Sequence, residues 1–445
     1  MKITHLLIFG IAVAALATCQ SAQPTPTTAL VITDTAAPSQ SDPSETATAE
    51  IPMSASTMLG LVNNAPDGNR YVAGQGSFPR VTALDIPLAG TPVWIVGAPY
   101  QDGSLWVVTL EDGGIQAFTI INDQANAFEL SPAQIPAGMP PVLQVSGDTA
   151  GLLTGPIDTI SALTYPAWIT KTGTLAYFTQ QSELTTDGIT LPVDALPDAR
   201  LLTGGEGNLL LLSSPSQLYD HGVLGDAIEA ESITLVATDP EPSIIRTIPI
   251  PDGKVFEGIA PIWTDITGDD EKEIIVTLSN AGQGAQLAVF SGSGELLAQS
   301  DPIGQGYRWR NQMAVAPFGP NGELELVDVL TPHINGVVEF FQLHGAKLEI
   351  VATVSGYTSH VIGTRNLDMA VAGDFNGDGQ PEIVLPNQSL TTIAGIQRNI
   401  DGAAITWELA LNSKLTTNLA AVNLDTDGLL LGIGLNNGTL RVWLP

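Results

Sequence analysis

The stretch Asp374-Phe-Asn376-Gly-Asp378-Gly-Gln380-Pro-Glu382 carries oxygen-bearing side chains at its first, third, fifth and ninth positions and a glycine at its sixth. Alternate residues of such a loop point inward, the glycine permits the tight turn, and the last carboxylate can close the shell. That is the donor chemistry a hard cation such as Ca²⁺ requires. The plain alternative is an Asn-Gly or Asp-Gly turn with no ion. Asp265-Ile-Thr267-Gly-Asp269-Asp-Glu-Lys-Glu273 keeps oxygens at the same positions, but Asp270 replaces the glycine and Lys272 adds a positive charge. Asn423-Leu-Asp425-Thr-Asp427-Gly428 has Leu431 where the final acid belongs, so weak affinity is expected there. Pro317-Phe-Gly319-Pro-Asn321-Gly322, which has lost the first two oxygens, reads as a turn alone.

Catalytic spacing is scarce elsewhere. The chain has no G-x-S-x-G elbow, no H-E-x-x-H pair and no phosphate-cradling glycine loop, and beyond His5 its histidines are His221, His333, His344 and His360. His344 reads as a surface-turn residue, and Gly204-Gly-Glu-Gly207 as a hairpin turn. The 46 acidic residues leave room for a carboxylate pair of the kind that hydrolyses glycosides, which only spatial separation can reveal.

The elements that must hold these loops are strands. Residues 369–373 and 383–385 flank the Asp374 loop as apolar runs, and similar runs, such as 105–110, 207–213 and 339–343, recur after residue 80. No window sustains a helical period. With 45 Gly and 31 Pro to make turns and 44% hydrophobic residues to make a core, the chain reads as all-β. A longer period is superimposed. Gly306-Tyr307 followed by Arg310-Asn-Gln-Met-Ala-Val-Ala316 recurs as Gly356-Tyr357 followed by Arg365-Asn-Leu-Asp-Met-Ala-Val-Ala372, with a weaker copy at 418–422. Counting back through strand starts near Ile259, Leu201, Val142 and Val93 yields seven units at steps of roughly 50 to 60 residues, each with about four strand-like runs. This predicts a seven-bladed β-propeller over residues 77–445, with six or eight blades as alternatives. The last unit offers three runs before Pro445, so an early strand near Val81–Leu88 is expected to complete it and lock the ring.

At this point the Asp374 loop, set between two strands, resembles the calcium loop of the FG-GAP or VCBS repeat family, whose propellers include the head of integrin alpha subunits. The resemblance implies a Ca²⁺ ligand set of Asp374, Asn376, Asp378, Glu382 and the carbonyl of Gln380. Motifs carry it over about residues 255–445, and period alone over 80–255. In such a ring, the segments leading into first strands and the connections from second to third strands lie on the face opposite the calcium loops. Those segments collect Trp309, Arg310, Asn311, His360, Arg365 and Asn366, with Asn280, His333, Asn387 and Gln388 after the second strands. Arginine forks, amides and an indole platform would hold a carboxylate, sulfate or polyol. Alternatively these groups fasten blade to blade by satisfying loop carbonyls.

Charge and the amino terminus narrow the function classes. Fifteen Lys and Arg against 46 Asp and Glu give a net charge of −31, which excludes a nucleic-acid backbone binder. Cys19 is the one cysteine, which excludes intrachain disulfides, cysteine zinc sites and cysteine-pair redox chemistry. Residues 1–18 join Lys2 to the apolar run from Leu6 to Ala17, which is an export signal because a membrane span needs roughly twenty apolar residues. Cys19 directly after it resembles the lipobox of bacterial lipoproteins, although Thr18 departs from the usual Gly, Ala or Ser. The resemblance implies an acylated Cys19 and an anchor on an extracytoplasmic membrane face; an ordinary cleaved signal is the alternative. Between Gln20 and Glu50, 21 of 31 residues are Ser, Thr, Pro or Ala, a composition that cannot bury enough surface to fold. The tether is expected to continue through Asn63–Gly68, so residues 19–76 are assigned to it and 77–445 to the propeller. The expected protein is a lipid-anchored envelope module that binds a protein or glycan. An enzyme acting on extracellular polysaccharide and a structural scaffold are the alternatives.

Overall fold

The computed structural model describes residues 57–251, 253–425 and 428–445. The expected export signal, Cys19 and the tether up to residue 56 lie outside the described residues. Within them every helix or strand element is a β-strand. Seven four-stranded antiparallel meanders follow one another: blades I (92–128), II (167–191), III (202–249), IV (262–299), V (310–355), VI (371–410) and VII (420–444, completed by Thr82–Pro87). Sandwiched strands are apolar on both faces and outer strands alternate, as the layering of a propeller demands. Gly103–Leu110 is buried at every position, whereas Gln124–Phe128 on the outer edge of the same blade is largely exposed.

The apolar clusters lie between neighbouring blades and close a ring. One joins VII to I through Trp106, Ile95, Leu430 and Val442, and others join IV to V, V to VI, and VI to VII. The ring is locked by pairing its ends: Thr82–Pro87 runs antiparallel to Thr439–Leu444, from Thr82 opposite Leu444 to Pro87 opposite Thr439. This is the closure that the three-run last unit called for. Arg441 adds a two-pronged ion pair to Asp85, with both N···O distances 2.6 Å.

Two sequence expectations need correction. The unit placed at Val142 is instead a short three-stranded sheet, Met58–Gly60 against Leu143–Ser146 and Thr149–Leu152, and blade II starts only at Ala167. The intervening prolines, Pro156 and Pro166 among them, break the chain into runs too short for spacing to resolve. Nor does the tether extend to residue 76. Residues 58–75 run along the ring axis, where the inner strands converge. The Asn64 side chain accepts from Ala421 N (2.9 Å) and donates to Leu419 O (3.2 Å), and Asn69 makes the same two bonds to Val315 (3.0 and 2.9 Å). Each carboxamide therefore imitates the backbone of a missing neighbouring strand. Thr203 N and Trp263 N donate to Pro66 O and Asp67 O (both 2.9 Å), and Tyr71–Gln75 pairs parallel with Val371–Asp374. The turn-forming residues that suggest a linker are the means by which this segment turns inside the ring.

One ion cluster pins that axis. Asp368 is fully buried and takes the guanidinium of Arg70 (2.9 Å) and both terminal nitrogens of Arg200. Burial alone would raise its pKa, but Arg200 and Arg70 outweigh it and hold the carboxyl below its ordinary value. Arg70 also donates to Gln312 O and Met313 O on blade V (3.2 and 3.1 Å).

Candidate functional site

The connections from first to second strands define a bottom face and those from second to third a top face, and the two carry different chemistry. On the bottom face, the Asp374 loop is held by its own acids. Asp374 Oδ1 accepts from Gly377 N (2.8 Å) and Asp378 N (3.1 Å), and Oδ2 from Gly379 N (2.9 Å) and Gln75 Nε2 (3.2 Å). Glu382 is fully buried beneath the loop. Its Oε2 accepts from Phe375 N (2.9 Å) and its Oε1 from Trp407 Nε1 (3.1 Å), yet burial still pushes its pKa up to about 7. The Asp265 loop repeats this latch, with Ile266 N donating to Glu273 Oε2 (3.1 Å) and Gly268 N to Asp265 Oδ1 (2.6 Å). In blade V the equivalent Glu325 binds Arg398 Nε of blade VI (2.9 Å) and Gln342 Nε2 (2.9 Å), so the ninth-position acid latches its own loop in blades IV and VI and ties two blades together in V.

Of the five-donor calcium set that the family resemblance implies, the acids Asp374 and Glu382 are engaged by the loop's own amides, as Asp265 and Glu273 are in the Asp265 loop. Among the described residues no group of three or more His, Cys, Asp or Glu gathers as a metal site. The Asn423 loop falls partly on residues 426 and 427, outside the described residues. Beside it, a polar cleft of about 980 Å³ is lined by Asp102, Asn122, Asp123, Asn423 and Asp425.

The top face also differs from its expected form. Arg310 is buried and paired with Asp328 (2.8 Å) and Glu339 within its own blade. Asn311 donates to Ser359 Oγ (2.9 Å), tying V to VI, and Asn366 accepts from Asp368 N (3.1 Å). Gln388 donates to Pro332 O and Tyr357 O (both 2.9 Å), while Asn280 and Asn387 cap their own turns. Trp309 is 2% exposed and belongs to the core. Trp309, Arg310, Asn311 and Asn366 are thus covered by packing and spent on internal contacts, of which only that of Asn311 ties one blade to the next. Arg365 remains half-buried and bridges Asp198 (2.8 Å) and Asp226 (2.7 Å), joining three connections.

What the top face presents instead is apolar. Leu218 (59% exposed), Tyr307 (47%), Ile334 (72%) and Ile362 (64%) project from four different connections, with Val361 beside Ile362. Two ring clusters accompany them, one of which includes Tyr307 itself. Tyr219, His221 and Tyr307 have centroids 5.2–5.7 Å apart, and Trp309, His333 and His360 lie 4.9–6.1 Å apart. His221 Nδ1 is 2.5 Å from Glu257 Oε1, and Ser279 Oγ donates to the other oxygen of that buried carboxyl. Burial raises Glu257, which His221 opposes, and burial raises Glu229 further still. Sequence reasoning missed this platform, although a signal existed. Leu218, Ile334 and Val361-Ile362 stand in Pro-, Gly- or Ser-containing connections, where an apolar side chain has no strand neighbour to cover it.

The floor of the platform contains a buried pair of histidines. His333 Nε2 lies 2.6 Å from His360 Nδ1, and His360 Nε2 donates to Thr364 O (2.7 Å). Burial lowers the pKa of His333 to about 4 and that of His360 to about 3. Both rings stay neutral in the folded protein while the unfolded chain takes up protons below about 6.5. The contribution of the pair to stability is therefore level above about 6.5 and falls as pH drops through the window between 6.5 and 3. Glu382, raised to about 7, works with the opposite sign, so the test compares variants. His360→Asn should lose distinctly less denaturant stability than the parent between pH 7 and 4.5; an equal loss would place the acid sensitivity elsewhere.

No protein-family model matches the chain, and no curated protein does. Among solved structures, one described as "Structure of Dos1 propeller" aligns with 83% of this chain and 95% of that one, at 10% identity and a TM-score of 0.41.

Proposed function

We propose that this β-propeller is an extracytoplasmic, lipid-anchored binding module, a divergent relative of the FG-GAP/VCBS propellers, and that it receives a protein partner on its top face. The observation that carries the reading is the set Leu218, Tyr307, Ile334, Val361 and Ile362, exposed together over a floor of packed rings. Exposed apolar side chains concentrated on one face mark an interaction site, and rigid aromatic anchors dominate binding energy. Arg308, exposed beside Tyr307, supplies a cation at the rim. Export and anchoring rest on the signal and Cys19, which would present this face outside the cytoplasm. Calcium belongs to the reading at the Asp265 loop. There Asp265, Thr267 and Asp269 offer oxygens, and Lys272 is drawn away to Asp67 (3.0 Å).

Hydrolysis of a polysaccharide is the second reading, drawing on Glu229 and Glu257. It is the weaker one, because those carboxyls are 3% and 2% exposed and a substrate must reach both. The test is affinity capture from envelope fractions with the parent, Ile334→Asp/Ile362→Asp, and a bottom-face control, Asp102→Ala/Asp123→Ala. A protein retained by the parent and the control should lose at least about tenfold of its binding to the top-face variant, since each anchor is expected to contribute more than 1 kcal/mol. Equal retention by all three would reject the top face. Binding of a glycan array through Tyr307 would replace the protein partner by a sugar.

A further inference from the structure

We infer that Gln397 occupies, with its own amide, the oxygen cage in which the Asp374 loop would otherwise hold a divalent cation. Gln397 lies in Thr392–Asn399, the third strand of blade VI, directly opposite Glu382. Its Nε2 is 2.9 Å from Asp378 Oδ1, 2.9 Å from Asp378 Oδ2 and 3.1 Å from Gln380 O. Three oxygens that the calcium motif would aim at an ion thus converge on one amide nitrogen. The opposite amide orientation would set a carbonyl oxygen against three acceptors, so chemistry selects the nitrogen.

The rest of the loop is consistent with a site closed from within. Each oxygen of Asp374 already has two donors, and the Glu382 carboxyl is taken by the loop amides, Trp407 and Thr406. Asn376 turns its Oδ1 to Asp378 N (2.8 Å) and its Nδ2 to Asp378 Oδ2 (3.2 Å). A Ca²⁺ ion needs six to eight oxygens at about 2.3–2.6 Å, and an amide nitrogen in their midst blocks that shell. Blade IV makes the contrast. Ser291 follows Phe290, the partner of Ile274, and its hydroxyl accepts from Glu295 N (3.0 Å), so no carboxamide reaches into the Asp265 loop from there. The loop with the better sequence motif is therefore the one that manages without metal, and a single glutamine makes the difference.

The test is calorimetric titration of calcium chloride into the full chain carrying Asp269→Ala, which silences the Asp265 loop and leaves the Asp374 loop to be read alone. With Gln397 intact, no binding is expected that Asp378→Ala abolishes. Gln397→Ala should gain one calcium site, lost again when Asp378→Ala is added, and calcium should raise its melting temperature while leaving that of the Asp269→Ala chain with Gln397 intact unchanged. Should Gln397→Ala fail to fold, Gln397→Ser, which copies blade IV, gives the same readout. Calcium binding at Asp378 with Gln397 present, or no gained site in either Gln397 variant, would overturn the inference. Neither result touches the top-face reading, which the capture experiment tests separately.

Discussion

Removing residues 57–76 is expected to abolish cooperative folding of the propeller, although the remaining chain keeps all seven four-stranded blades. The deletion takes away the strand pairing of Met58–Gly60 and Tyr71–Gln75, the two carboxamide bridges of Asn64 and Asn69, buried Leu61 and Val62, and Arg70. It would leave the inner-strand groups at Leu419, Ala421, Val315, Thr203 and Trp263 without their partners on the axis. Each buried backbone group left unsatisfied costs about 1–3 kcal/mol. Several together match the roughly 5–15 kcal/mol by which a folded domain is stable at all. A chain beginning at Ser77 should therefore lack a cooperative melting transition, whereas one beginning at Thr57 should show it. Equal melting temperatures for the two would mean that the ring stands on blade packing alone.

Asp368→Ala should be the most damaging single substitution. It leaves the guanidiniums of Arg70 and Arg200, both buried, facing each other with no anion between them. Breaking one side of a buried ion pair costs about 3–5 kcal/mol. Here one carboxylate serves two arginines from distant parts of the chain, so the upper end is expected, with a melting temperature lower by on the order of 10 °C. The double replacement Arg70→Met/Asp368→Ala should recover part of that loss, since it removes a charge of each sign from the axis. If Asp368→Ala melts within about 2 °C of the parent, close to the effect of a surface substitution, the cluster is not what holds the axis. Top-face changes such as Ile334→Asp should by comparison leave stability nearly untouched, because that side chain is 72% exposed.

Much of this arrangement was legible before any coordinates. Strand runs every ten residues or so, bounded by Gly and Pro, specify an all-β chain through period and turn chemistry. The deficit of one run in the last unit foretold that the stretch near Val81–Leu88 would pair with the C-terminal strand, as it does. The position of each loop relative to its blade also followed, because a meander alternates its connections between two faces. These are properties of neighbouring residues, and local pattern encodes them.

The tertiary structure decided what each polar residue does. Tyr307 and Tyr357 occupy the same place in the repeat, yet one is 47% exposed and the other 4%, because different connections pack over them. Arg310 and Arg365 are likewise equivalent in sequence, but Arg310 is consumed inside its own blade while Arg365 bridges Asp198 and Asp226, more than a hundred residues away. Asn64 and Asn69 look like linker residues until the inner strands that receive them are in place. Gln397 carries no motif; its meaning comes from lying opposite Glu382 and within reach of Asp378. In each case the partner is distant in the chain, and closure of the ring brings the pair together. Composition and spacing determined that this chain makes strands, turns and a closed ring, whereas burial and long-range pairing determined which polar residues are covered and which face exposes apolar side chains.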